Sequence, residues 1–130
     1  MHPLQHSFLQ LHARASELAG PYFDVDLHVG EPGEFPKRRN MAYCHHDDRT
    51  GLLTVVVAPK LLNGPLDRIE GVLRHEFGHA LHFFWGYPNH GERDADTLAE
   101  NVFGAPIYYD RDTVQTIRGG VRPRPAHLGL

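Results

Sequence analysis

A chain of 130 residues with 41% hydrophobic side chains is long enough to bury one core and too short for the two large lobes of many hydrolases. A net charge of −3 with 22% charged residues excludes a general nucleic-acid or membrane surface. The single cysteine, Cys44, excludes an intramolecular disulfide.

The first twenty residues lack the basic start, apolar run and cleavage site of a secretory signal, and no later run is long enough to span a bilayer. The expected location is the cytoplasm. Phe8, Leu11, Ala15 and Leu18 recur at helical spacing, which predicts an amphipathic helix covering one face of a sheet and ended by Gly20-Pro21. From Tyr22 to Val29 apolar and polar residues alternate, the pattern of a half-buried strand. Gly30 to Arg39, with its prolines and glycines, reads as a loop. Its Lys37, Arg38 and Arg39 form a solvated charge cluster or, in a second reading, a contact for an acidic partner.

Asn40 to His46 is a further strand, and His45-His46-Asp47-Asp48 leads through a polar turn into Leu52 to Ala58, rich in branched residues and read as a strand. Two readings stay open for the potential ligands here. The turn is an ordinary surface turn or an accessory metal site, and Cys44 is a small buried residue or a thiolate that caps a metal.

Leu66 to Trp85 then forms the longest predicted helix, opened by Asn63-Gly64-Pro65 and closed by Gly86 and Pro88. Ile69, Val72, Leu73, Phe77, Ala80, Leu81 and Phe84 give it a broad apolar face. Within it lies His75-Glu76-Phe77-Gly78-His79. Two imidazoles four residues apart stand on one helical face, where they supply half of a tetrahedral metal shell with the Glu76 carboxylate beside the open position. Gly91 to Glu100 reads as another helix after a short turn, with Glu92 and Asp96 one turn apart on a common face.

H-E-x-x-H followed on the next helix by Glu92-x-x-Ala95-Asp96-x-x-Ala99 resembles the gluzincin zinc metallopeptidases, most closely the minimal gluzincins and the ImmA/IrrE type. The resemblance implies that His75, His79 and Glu92 bind one zinc ion and that Asp96 supports His75 through its second ring nitrogen. Glu92 also has a competing reading as the end of an Asn89-x-x-Glu92 capping box. His90 is the alternative third ligand, since Asn89-His90-Gly91 resembles the SprT-like group. His82 falls near the same helical stripe but too far along the axis for one ion to take all three histidines. The metzincin pattern is absent, with Trp85 at its third-histidine position and His82 at its glycine position.

The fold expected from these elements is α+β and zincin-like: an N-terminal helix, a sheet of three or four strands, the metal helix and the glutamate helix packed across it. Residues 1–118 form the domain. Asp110 to Ile117 is a short helix or an extended segment, and residues 119–130, with Arg122-Pro123-Arg124-Pro125, are a tail that lies free or straps the cleft.

The function this implies is zinc-dependent peptide hydrolysis by an endopeptidase. The fourth zinc position holds water, Glu76 acts as general base, and a second oxyanion donor comes from Tyr87, His90, Tyr108 or Tyr109. Its partner is an extended peptide or protein segment, with no nucleic acid and no membrane. In zincins an edge strand beside the active helix receives such a segment, a role open to Leu52 to Ala58 if it is not simply a core strand. Two alternatives remain: a catalytically silent interaction module with a structural metal, and a hydrolase of a small non-peptide substrate.

Overall fold

A computed structural model of the protein describes residues 1–36 and 41–104. Three helices and a three-stranded mixed sheet make an α+β fold: α1 (Pro3–Ala19), β1 (Val25–Val29), β2 (Ala42–His46), β3 (Leu53–Val57), α2 (Leu66–Phe84) and α3 (Glu92–Phe103). Single 3-10 turns at Pro32–Glu34 and Pro59–Asn63 fill two of the connections. Among the described residues no helix is long and apolar enough to cross a membrane. The Lys37–Arg39 cluster, Tyr108, Tyr109, the 110–117 segment and the 119–130 tail lie outside the described residues, so the domain boundary at 118 does too.

The sheet order is β1-β3-β2, with β1 parallel and β2 antiparallel to β3. Leu53 to Val57 therefore pairs on both sides and is the central strand, not an edge that receives a substrate. Its composition carries the reason. Val55, Val56 and Val57 are all buried, as a strand covered on both faces requires. Of the strands at the edges, β2 is the one that packs on α2. The turn between β2 and β3 closes on Asp47, whose carboxylate accepts hydrogen bonds from the Arg49 and Thr50 amides (2.8 and 3.3 Å). Those bonds hold its pKa below the usual carboxylate range. Asp47 is spent on turn geometry, and no accessory metal cluster forms here among the described residues. Cys44 is buried in the hydrophobic core, the small-residue reading.

The start of the first strand and the buried face of α1 differ from the sequence expectation. The first strand begins at Val25 because Pro21 and Tyr22 form an exposed turn. Leu18 is exposed, since the buried face of α1 runs through Leu4, Ser7, Phe8 and Ala15. That face packs chiefly on α2 and not on the sheet. The sheet face toward the core is already taken by α2, and the opposite face carries Phe35, Val56, Ala58 and Tyr43 under the Pro32–Glu34 turn. There the Tyr43 hydroxyl donates to Glu34 (2.8 Å), and burial with this bond pushes the phenol pKa up to about 12.

α2 is the element the others meet. It packs against β2, β3, α1 and α3. Every residue from His75 to Leu81 is buried, so these two turns have no solvent face at all. Phe77 points about 200° round the helix from His75 into an aromatic cluster with Phe8, Phe23 and Phe103, at centroid distances of 5.3, 6.3 and 6.1 Å. The cluster holds α2 in rotation, so the opposite face is aimed with little freedom.

The crossing of α2 and α3 is closest at Gly78. A Cβ there would overlap the Ala95 carbonyl oxygen and stand 2.8 Å from its carbon. The obstacle is backbone, so α3 itself must move. Gly78→Ala should lower stability by about 1–3 kcal/mol, outweighing the roughly 1 kcal/mol gained in helix propensity. Thermal unfolding should show a Tm reduced by several degrees, with Gly33→Ala, where a Cβ meets nothing within 4 Å, close to wild type as control.

Candidate metal centre

Helical geometry accounts for the first pair of ligands. His75 and His79 sit one turn apart on α2 with rings 4.9 Å between centroids and nearly perpendicular, at 88°. α3 supplies the third group. Its N-cap is Gly91, whose amide donates to the Asp94 carboxylate (2.9 Å), so Asp94 closes the helix start and Glu92 is left to turn inward. The competing capping role for Glu92 is therefore not the one observed. At the first position of α3 its carboxylate also sits in the favourable field of a helix N-terminus.

One oxygen carries the convergence. Glu92 Oε1 lies 2.8 Å from His75 Nε2 and 3.2 Å from His79 Nε2. The ligating atoms of His75, His79 and Glu92 all fall within 4.8 Å of one another, a group able to hold a metal ion. The setting is dry: His75 and His79 are 0% exposed, Glu76 1%, Asp96 5% and Glu92 6%. Charged groups in such surroundings are costly unless an opposite charge or a metal compensates them. Two nitrogens facing a single carboxylate oxygen offer the donor set a divalent cation takes, so these residues fit a metal.

Asp96 stands behind His75. Its Oδ1 is 3.9 Å from His75 Nδ1, on the side of the ring away from Glu92 and longer than a hydrogen bond. One turn of α3 thus places a carboxylate on the side of each nitrogen of the same imidazole.

His90 lies outside the group of His75, His79 and Glu92. Its Nε2 lies 2.8 Å from His79 Nδ1, the nitrogen turned away from Glu92. Its Nδ1 donates to the Tyr87 carbonyl oxygen (2.7 Å). Both ring nitrogens of His90 are engaged within the protein. Burial pushes its pKa down, against the opposing effect of the Tyr87 carbonyl, while His82 lowers it further. His82 stays out of the ligand group. Its Nδ1 donates to the Gly78 carbonyl (2.8 Å), and its ring stacks on His90 at 4.5 Å and 18°. Tyr87 is 64% exposed, and what it brings to the site is a carbonyl oxygen.

Two features escape a reading by motif alone. Gly78 looks like an ordinary variable position of H-E-x-x-H, although a glycine within an apolar helix is itself a signal of close approach. The packing of Phe83 against His90 (4.9 Å, 72°) and of His46 against Phe83 (4.8 Å, 20°) joins three separate segments and has no local signature. Comparisons with protein-family models, curated proteins and solved structures find no match for this chain.

A divalent transition metal bound at this centre should stabilise the folded state by about 2.7 kcal/mol at a hundredfold excess over Kd. Thermal unfolding with and without metal should show the rise for wild type and none for His75→Ala or Glu92→Ala. Asp96→Asn should retain binding with affinity reduced about 10- to 100-fold, read by chelator competition.

Proposed function

We propose that the protein is a zinc-dependent metallopeptidase of the gluzincin kind, an endopeptidase that hydrolyses an extended peptide segment. The observation that carries this reading is the meeting of His75, His79 and Glu92 at one buried point with the Glu76 carboxyl on the adjoining position of α2. Two histidines and a glutamate are a donor set of catalytic zinc, which leaves one coordination position for water or substrate. Glu92 Oε1 stands 2.8 and 3.2 Å from the two Nε2 atoms, and the three ligating atoms all fall within 4.8 Å of one another, so His75, His79 and Glu92 are the residues that would hold the ion.

Zinc bound there would lower the pKa of water toward about 7 and polarise the scissile carbonyl. The chain's own contribution is positional and protonic. His75 and His79 offer Nε2 from a helix whose rotation the Phe77 cluster restrains. Asp96 favours a proton on His75 Nδ1, which keeps Nε2 as the binding atom. Glu76 accepts the proton lost from the attacking water on a carboxylate oxygen and returns it to the leaving amine nitrogen. The burial of Glu76 keeps bulk water from competing for that proton.

Glu76→Gln separates the two parts of this reading. The variant should bind zinc like wild type while hydrolysis of a mixed peptide library falls about 10²- to 10⁴-fold, and His75→Ala should lose both. Wild type that binds zinc yet cleaves nothing in the library, at any metal loading, would favour the silent interaction module.

A further inference from the structure

The two imidazoles of the centre are supported by different chemistry. Behind His75 stands a carboxylate, Asp96; behind His79 stands another imidazole, His90. The direction of each hydrogen bond in the second arrangement can be worked out from its far end. A carbonyl oxygen only accepts, so His90 Nδ1, 2.7 Å from Tyr87 O, carries a proton. In a neutral ring that leaves Nε2 as a lone pair. With both rings neutral the lone pair lies 2.8 Å from His79 Nδ1, which is then the donor. In that tautomer His79 presents to a metal the lone pair of Nε2, the nitrogen that faces the Glu92 oxygen 3.2 Å away.

We infer that His90 is a positioning residue for the metal centre. The relay from His79 Nδ1–H through His90 to the Tyr87 carbonyl sets the tautomer of His79 and so decides which nitrogen is offered to a metal. The His90 ring stacks on His82 (4.5 Å, 18°) and meets Phe83 edge-on (4.9 Å, 72°). His82 is in turn pinned to the Gly78 carbonyl (2.8 Å). A neutral acceptor suits this position for a reason of charge. Glu92 and Asp96 already balance a divalent ion and Glu76 adds a further acid, so a carboxylate at the half-buried position 90 would bring one more acid to the site.

This role rests on the metal reading of His75, His79 and Glu92, and not on peptide hydrolysis. The test therefore reads two quantities other than activity: zinc affinity by chelator competition, and the His79 tautomer from ¹⁵N chemical shifts of the metal-free protein. Wild type should show His79 protonated on Nδ1. His90→Phe keeps a ring between His82 and Phe83 but has no acceptor, so its zinc affinity should fall about 10- to 100-fold and the Nδ1–H form should no longer dominate. His90→Gln, with an oxygen near the place of Nε2, should recover most of the affinity. Equal zinc binding by wild type and His90→Phe would overturn the role of His90 alone. Wild type that binds no zinc would remove the metal centre and this role with it. Should His90→Phe fail to fold, the wild-type shifts and His90→Gln still decide, since His79 protonated on Nε2 overturns the inference.

Discussion

The contact between Gly78 and the backbone of Ala95 is the constraint on which the candidate centre depends. Carboxylate side chains are short, and those of Glu92 and Asp96 reach His75 only because α3 lies against α2 with no side chain between them at the crossing. Ala95 and Ala99, both 0% exposed, extend the same close face along α3. A side chain at Gly78 would meet the Ala95 backbone and so displace α3, the helix that carries Glu92. The three small residues and the two carboxylates are thus parts of one device, with the small ones setting the distance and the acids using it.

Placing ionisable groups on the most deeply buried turns of α2 works against folding unless each finds a complementary neighbour, since an uncompensated buried charge costs several kcal/mol. The chain assigns those neighbours by nitrogen. His75 has Glu92 on Nε2 and Asp96 toward Nδ1; His79 has Glu92 on Nε2 and His90 on Nδ1. Glu92 is shared, which makes it the group whose loss would disturb both rings together. The opposite face of the same helix turns is wholly apolar, anchored by Phe77 among Phe8, Phe23 and Phe103. Removing a buried phenylalanine of this kind costs about 3–5 kcal/mol. Core and centre therefore share one helix, and the packing that stabilises the domain also fixes the aim of its polar face.

The sheet has a supporting part in this arrangement. β3, buried on both faces between β1 and β2, supplies the flat surface that α2 packs on through β2 and β3. Because that face is occupied by α2, the N-terminal helix is displaced onto the helical layer, where Arg14 Nε reaches the Val102 carbonyl (3.4 Å) near the end of α3. The amphipathic pattern of α1 was readable in the chain, but an apolar face does not specify which neighbour covers it.

What the sequence by itself determined is local. The spacing of His75 and His79 and of Glu92 and Asp96 places each pair on one face of its helix, because 3.6 residues per turn leaves no other arrangement. The extent of α2, the start of α3, the strand character of Leu53 to Val57 and the α+β class follow from periodicity and from the glycine and proline boundaries in the same way. Tertiary structure alone decided the rest. It made Leu53 to Val57 central, because strand order is set by which elements meet and not by composition. It gave Glu92 to the Nε2 atoms and His90 to the far nitrogen of His79, because two residues only two positions apart straddle the start of α3 and leave it in different directions. The approach of Gly78 to Ala95 belongs to this second group as well: a glycine permits contact, and only the packed helices determine with what.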